Sequence, residues 1–103
     1  MKRPDFDTFR EMFLNCLSGH TGGDAAALAG AKWADVGGLE ARREVLEAVR
    51  EKLREEYGLE FEVNKRLLSV EGPVESAVIQ TFHELNTIFL MERINAKIRA
   101  RLN

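Results

Sequence analysis

Cysteine is nearly missing from this chain: Cys16 is the only one among 103 residues. That excludes an internal disulfide framework and any multi-cysteine zinc site. A surplus of either charge is missing as well. Fifteen Lys and Arg stand against 17 Asp and Glu, a net charge of −2. Such a balance argues against a protein built to coat DNA or a membrane surface. Long apolar runs are also missing. The bulkiest, Ile88-Phe89-Leu90-Met91, falls far short of the roughly 20 residues that span a bilayer. Met1-Lys2-Arg3 is basic but is followed by Pro4-Asp5-Phe6-Asp7 rather than an apolar stretch, so it does not read as a signal peptide. A cytoplasmic protein is expected, with the lone thiol suited to reducing conditions. Internal repeats and low-complexity tracts are not found.

The remaining composition is that of a folded domain. Hydrophobic residues make up 45% and charged residues 31%, too apolar for a disordered segment. At this length one domain over residues 1–103 is expected. Glycine and proline divide it into five pieces. In the first, Phe6, Phe9, Met12, Phe13, Cys16 and Leu17 recur at helical spacing up to a stop at Gly19. Asp5 and Asp7 place negative charge at the helix start. The second runs from an N-cap at Asp24 to Ala34, with Gly30 as its weak point and Trp33 as its one large anchor. The third, Leu39 to Tyr57, buries Leu39, Val45, Leu46, Val49, Leu53 and Tyr57. Its other face carries charges, Arg42 among them, and Gly58 caps its end.

The fourth piece alternates. Leu59-Glu60-Phe61-Glu62-Val63 has strand period, Asn64-Lys65 suits a tight turn, and Arg66 to Val70 would return as a second strand. The competing reading is a short irregular loop. The fifth piece, about residues 74–102, follows Gly72-Pro73 and carries two overlapping apolar stripes. One is Val78, Phe82, Leu85 and Phe89; the other is Thr81, Leu85, Ile88, Met91, Asn95, Ile98 and Leu102. The expected fold is mainly α, α+β at most: four helices with a small β-hairpin before a long C-terminal helix. That helix would be about 43 Å long, whereas a compact domain of this size is about 34 Å across. Its excess must project, kink near Asn86-Thr87 or be covered by another subunit. Self-association is therefore expected through Leu85, Ile88, Met91, Ile94, Ile98 and Leu102, most simply as a two-fold homodimer.

Chemistry is thinly signalled. His83-Glu84 begins like a zinc-protease helix motif, but Thr87 stands at the second ligand position. The loop Gly19-His20-Thr21-Gly22-Gly23 precedes a helix, so the Gly22 and Gly23 amides could face an anion. It lacks the Gly-Lys-Ser/Thr ending of a phosphate loop, and Asp24 would repel the ligand. Cys16 shares a face with Phe9, Met12 and Phe13 and is expected to act as a small hydrophobe. No pair of carboxylates stands out as an acid and base. The C-terminal tip is the one basic feature. From Met91 to Asn103, Arg93, Lys97, Arg99 and Arg101 face only Glu92, a net +3, while the rest of the chain has 11 basic and 16 acidic residues, a net −5.

No catalytic residue, metal ligand or cofactor is assigned on these grounds. The expectation is a small interaction module: an accessory subunit, adaptor or inhibitor that forms a homo-oligomer and binds another macromolecule. The alternative is a dimeric nucleic-acid-binding regulator that presents Arg93, Lys97, Arg99 and Arg101 to the phosphate backbone.

Overall fold

In the computed structural model the backbone is described for residues 3–102 and the side chains as far as Arg101. Five helices follow in chain order: α1 (Phe6–Thr21), α2 (Ala25–Ala29), α3 (Leu39–Tyr57), α4 (Lys65–Leu68) and α5 (Val74–Leu102). A 3-10 turn, Trp33–Asp35, lies between α2 and α3. Helix α1 packs against α3, α2 and α5, and the long α5 closes the bundle.

Helix α1 begins where the sequence supplies a cap. The Asp5 carboxylate accepts from the Thr8 N–H at 2.8 Å, satisfying one of the amides left unpaired at a helix start. That bond holds the Asp5 carboxyl below the ordinary carboxylate range. A carboxylate with a depressed pKa stabilises the fold above its unfolded value, near 3.9, and the contribution vanishes as pH falls through the folded value. Asp5→Asn keeps an acceptor but does not titrate. Its melting temperature, followed from pH 7 to pH 2, is expected to fall less steeply below about pH 4 than that of the native protein. Parallel curves would remove Asp5 from the acid response.

The three phenylalanines of α1 are used as their spacing suggests. Phe9 and Phe13 are fully buried, and Phe6 and Phe9 each stand 5.3 Å from the Phe82 ring of α5. Phe13 stacks toward Trp33 at 5.9 Å. From α3, Val45, Leu46, Val49 and Leu53 complete the centre. Each fully buried side chain of this size is worth roughly 1.5–3 kcal/mol of transfer free energy. Both long helices that end in glycine end in the left-handed conformation, Gly22 at φ 75° and Gly58 at φ 65°. There each glycine amide reaches back to a carbonyl of the last turn, Ser18 and Arg54 respectively.

Helix α1 does not stop at Gly19 but runs on to Thr21, with Gly22 as its cap, and three further expectations are corrected. The second piece is not one helix to Ala34. It stops at Ala29, and the chain then turns to meet the start of α5. The Trp33 N–H donates to Gly72 C=O at 3.0 Å and the Val74 N–H to Ala31 C=O at 2.7 Å, framing an isolated antiparallel bridge between Lys32 and Pro73. Those tertiary bonds outweigh helix continuation past a glycine.

The hairpin at residues 59–70 does not form. Leu59 and Phe61 are buried and Glu60 and Glu62 exposed, as alternation requires. The segment lies on the helices rather than pairing with a second strand. Asn64 is not a hairpin turn but the N-cap of α4, its Oδ1 accepting from the Arg66 N–H at 2.9 Å. Leu67 and Leu68 are then both buried by the short helix.

The third correction concerns α3. Leu39, counted with the buried stripe, is its first residue and is 57% exposed, whereas Arg42, counted with the charged face, is buried.

Helix α5 is continuous for 29 residues. The break near Asn86-Thr87 does not occur. The Thr87 hydroxyl instead donates to His83 C=O at 3.2 Å, inside the helix. Two cations fasten α1 and the chain before it to α5. Arg10 Nε reaches both oxygens of Glu75 at 2.8 and 2.9 Å. Arg3 donates to Asn86 Oδ1 at 3.0 Å and lies 5.0 Å over the Phe89 ring.

Candidate interaction surface on the last helix

Helix α5 is apolar on two sides over part of its length, and among the described residues only the core-facing side is covered. Turning by about 100° per residue, Val74, Ala77, Val78, Thr81 and Leu85 share an arc of about 100°. All five are buried. The Thr81 hydroxyl is satisfied by Ala77 C=O at 2.7 Å, so this face meets the core without an unpaired group.

On the opposite side, Ile79, Leu90, Met91, Ile94 and Ile98 fall within an arc of about 120°. They are exposed to 51%, 55%, 54%, 43% and 50% respectively. Beyond Phe89 the core-facing side turns polar: Glu92, Asn95 and Arg99 occupy the arc that Leu85 and Val78 hold earlier. The apolar stripe thus continues on the outer side of the helix, away from the body. Gln80, His83 and Thr87 share this arc between Ile79 and Leu90, so the exposed apolar residues are contiguous only from Leu90 onward.

The tip leaves the body altogether. Every described side chain from Arg93 to Arg101 is exposed. The molecule measures 51 × 23 × 19 Å, and a helix about 43 Å long accounts for its long axis. Arg93, Lys97, Arg99 and Arg101 take no part in an ion pair among the described residues. Arg93, Lys97 and Arg101 repeat every four residues along one side of the apolar stripe.

The six residues expected to mediate association therefore divide. Met91, Ile94 and Ile98 are exposed on the outer stripe. Leu85 is 2% exposed and belongs to the core, which corrects its assignment. Ile88 is half-buried against the core, and the Leu102 side chain lies outside the described residues. Two members of the stripe, Ile79 and Leu90, were not singled out by periodicity. Ile79 carried a signal nonetheless, since it fits neither of the two stripes that the sequence suggests.

The glycine loop is self-contained. The Gly22 N–H donates to Ser18 C=O at 2.7 Å and the Gly23 N–H to Thr21 Oγ1 at 3.3 Å. Ser18 Oγ donates in turn to Gly23 C=O, and the Asp24 carboxylate caps α2 through the Ala26 N–H at 3.3 Å. An anion at Gly22 and Gly23 would have to break these bonds beside a carboxylate. His20 Nδ1 donates to Cys16 C=O at 3.0 Å and faces outward.

Cys16 is half-buried at the edge of a surface cleft lined by Thr8, Glu11, Met12, Asn15, Lys52 and Glu56. Burial pushes its thiol up, which disfavours the nucleophilic thiolate. Among the described residues no three His, Cys, Asp or Glu side chains converge as a metal set. No described helix is long and apolar enough to cross a membrane. No family model matches the chain, and neither a curated protein nor a solved structure matches it.

Proposed function

We propose that this chain is a small interaction module that self-associates through the outer face of α5 and acts by binding rather than by chemistry. One observation carries the reading: the apolar stripe Leu90, Met91, Ile94 and Ile98 on a helix that projects from its own body. An uncovered stripe of this kind is costly in water, and burying it against a partner stabilises the assembly. The charge distribution favours a second copy as that partner. A tip of net +3 and a remainder of net −5 are complementary between two copies of one chain.

Light scattering on a sizing column, run over a range of concentrations, tests this. The native protein is expected at twice the 11.7 kDa chain mass. Ile94→Asp with Ile98→Asp is expected at the chain mass, with an unchanged helical signal, because neither side chain touches the core. A native protein that stays at the chain mass at every concentration overturns self-association.

A further inference from the structure

The charge layout along α5 also fixes how two copies would meet. From Leu67 to Glu92 the chain carries Glu71, Glu75, Glu84 and Glu92 and no Lys or Arg; from Arg93 to Arg101 it carries four basic residues and no acidic one. We infer that the partner of this face is a second copy of the chain with its α5 antiparallel, each basic tip lying over the acidic body of the other. This rests on the self-association reading and adds orientation to it.

Two arrangements would cover the outer stripe, because Ile79 and Ile98 mark its two ends. A parallel pair sets tip against tip and body against body, like charge on like charge in both places. An antiparallel pair sets the four basic residues of each tip over the stretch of the other copy that carries Glu71, Glu75 and Glu84 and no Lys or Arg. These contacts fall within the screening length of roughly 8–10 Å at physiological salt, so the sign matters. Helix dipoles agree, since the negative C-terminal end of each α5 would approach the positive N-terminal end of the other. Ile79, Gln80, His83 and Thr87 are exposed along the body's part of α5. Glu75 and Glu84 already meet Arg10 and Arg66 of their own chain, so the attraction comes from the summed field rather than from new discrete ion pairs. A two-fold contact of this kind needs a surface that complements itself when reversed. Reversed about a point between Ile88 and Phe89, Ile98 lies opposite Ile79, while Ile94 and Leu90 lie opposite the exposed His83 and Thr87.

The test is the distance between tips. Ala100, exposed and clear of the core, is replaced in Ala100→Cys, with Cys16→Ser to remove the native thiol, and spin-labelled. In an antiparallel dimer the two labels stand about 35 Å apart along the helix direction, at 1.5 Å per residue from the central point. In a parallel dimer they are neighbours. A distance distribution centred near 35 Å supports the proposal. One below about 20 Å overturns the placement of each tip over the other body and leaves self-association standing. A protein that is monomeric throughout removes both.

Salt gives an independent sign. Raising NaCl from 50 to 500 mM is expected to weaken an antiparallel dimer about tenfold and would strengthen a parallel one. Arg93→Glu with Arg101→Glu is expected to weaken the dimer by a similar factor at low salt. If that variant instead loses retention on duplex DNA and dimerises as before, the tip charge serves a nucleic acid and the inference falls.

Discussion

Replacing Trp33 by alanine is expected to remove about 4–8 kcal/mol of stability, of the order of half of what a domain of this size has. Two losses combine. Trp33 is fully buried beside Phe13, and truncating a core aromatic to alanine costs about 3–5 kcal/mol in transfer and cavity terms. Its indole N–H also donates to Leu67 C=O at 2.7 Å. Without it that buried carbonyl lacks a donor, which costs about 1–3 kcal/mol. The residue matters beyond its size because it joins three segments: the turn after α2, the α1 face and the short helix α4. Urea unfolding of native protein, Trp33→Phe and Trp33→Ala separates the two terms. Trp33→Phe retains most of the apolar volume and loses the bond, so a loss of about 1–2 kcal/mol is expected. If Trp33→Ala falls no further than Trp33→Phe, the packing account of this residue is wrong.

The three long helices were legible because each announces itself twice, by period and by punctuation. Asp5 and the phenylalanines mark α1. The Leu46, Val49 and Leu53 run ending at Gly58 marks α3. Gly72-Pro73 and the repeat that follows mark α5. Where only one signal was present, the reading failed. Alternation at Leu59 to Val63 reports which side chains face the core, and it holds for a segment lying across helices as well as for a paired strand. Asn64 accepts an amide proton equally well as a turn residue or as an N-cap, and nothing local distinguishes the two.

The exposed apolar stripe of α5 was half legible for a related reason. Overlapping stripes show that a helix is apolar on more than one side. They do not show which stripe the core takes. That depends on where α1, α2 and α4 lie, and it consigned Leu85 to the interior while leaving Ile79 and Leu90 outside.

Arg42 shows the same limit in a charged residue, and the second large effect is expected there. Its place on the polar face of α3 predicts a solvated side chain, yet it is 8% exposed and forms no ion pair among the described residues. Its Nε donates to Leu68 C=O at 2.9 Å, and its Nη1 donates to Ala34 C=O at 2.8 Å and Gly37 C=O at 3.0 Å. Leu68 is the last residue of α4 and Ala34 lies in the 3-10 turn, so these are carbonyls that short helical pieces leave without partners. The cation also complements the negative end of α4.

Burying a charge is unfavourable, and an apolar replacement of equal volume sometimes stabilises a protein. The acceptors decide the balance here, because removing the guanidinium takes the donor from the buried Leu68 C=O and from the part-buried carbonyls of Ala34 and Gly37. Arg42→Met keeps the apolar stem and is expected to lose about 3–4 kcal/mol. Arg42→Lys keeps the charge but cannot hold three divergent carbonyls with one ammonium, and about 1–2 kcal/mol is expected to go. Hydrogen exchange should show the loss concentrated in α4 and the turn at Ala34–Gly37, the pieces the fork joins, before the amides of α1 and α3 are affected. A methionine variant as stable as the native protein would mean that those carbonyls find water, and that Arg42 merely tolerates its site.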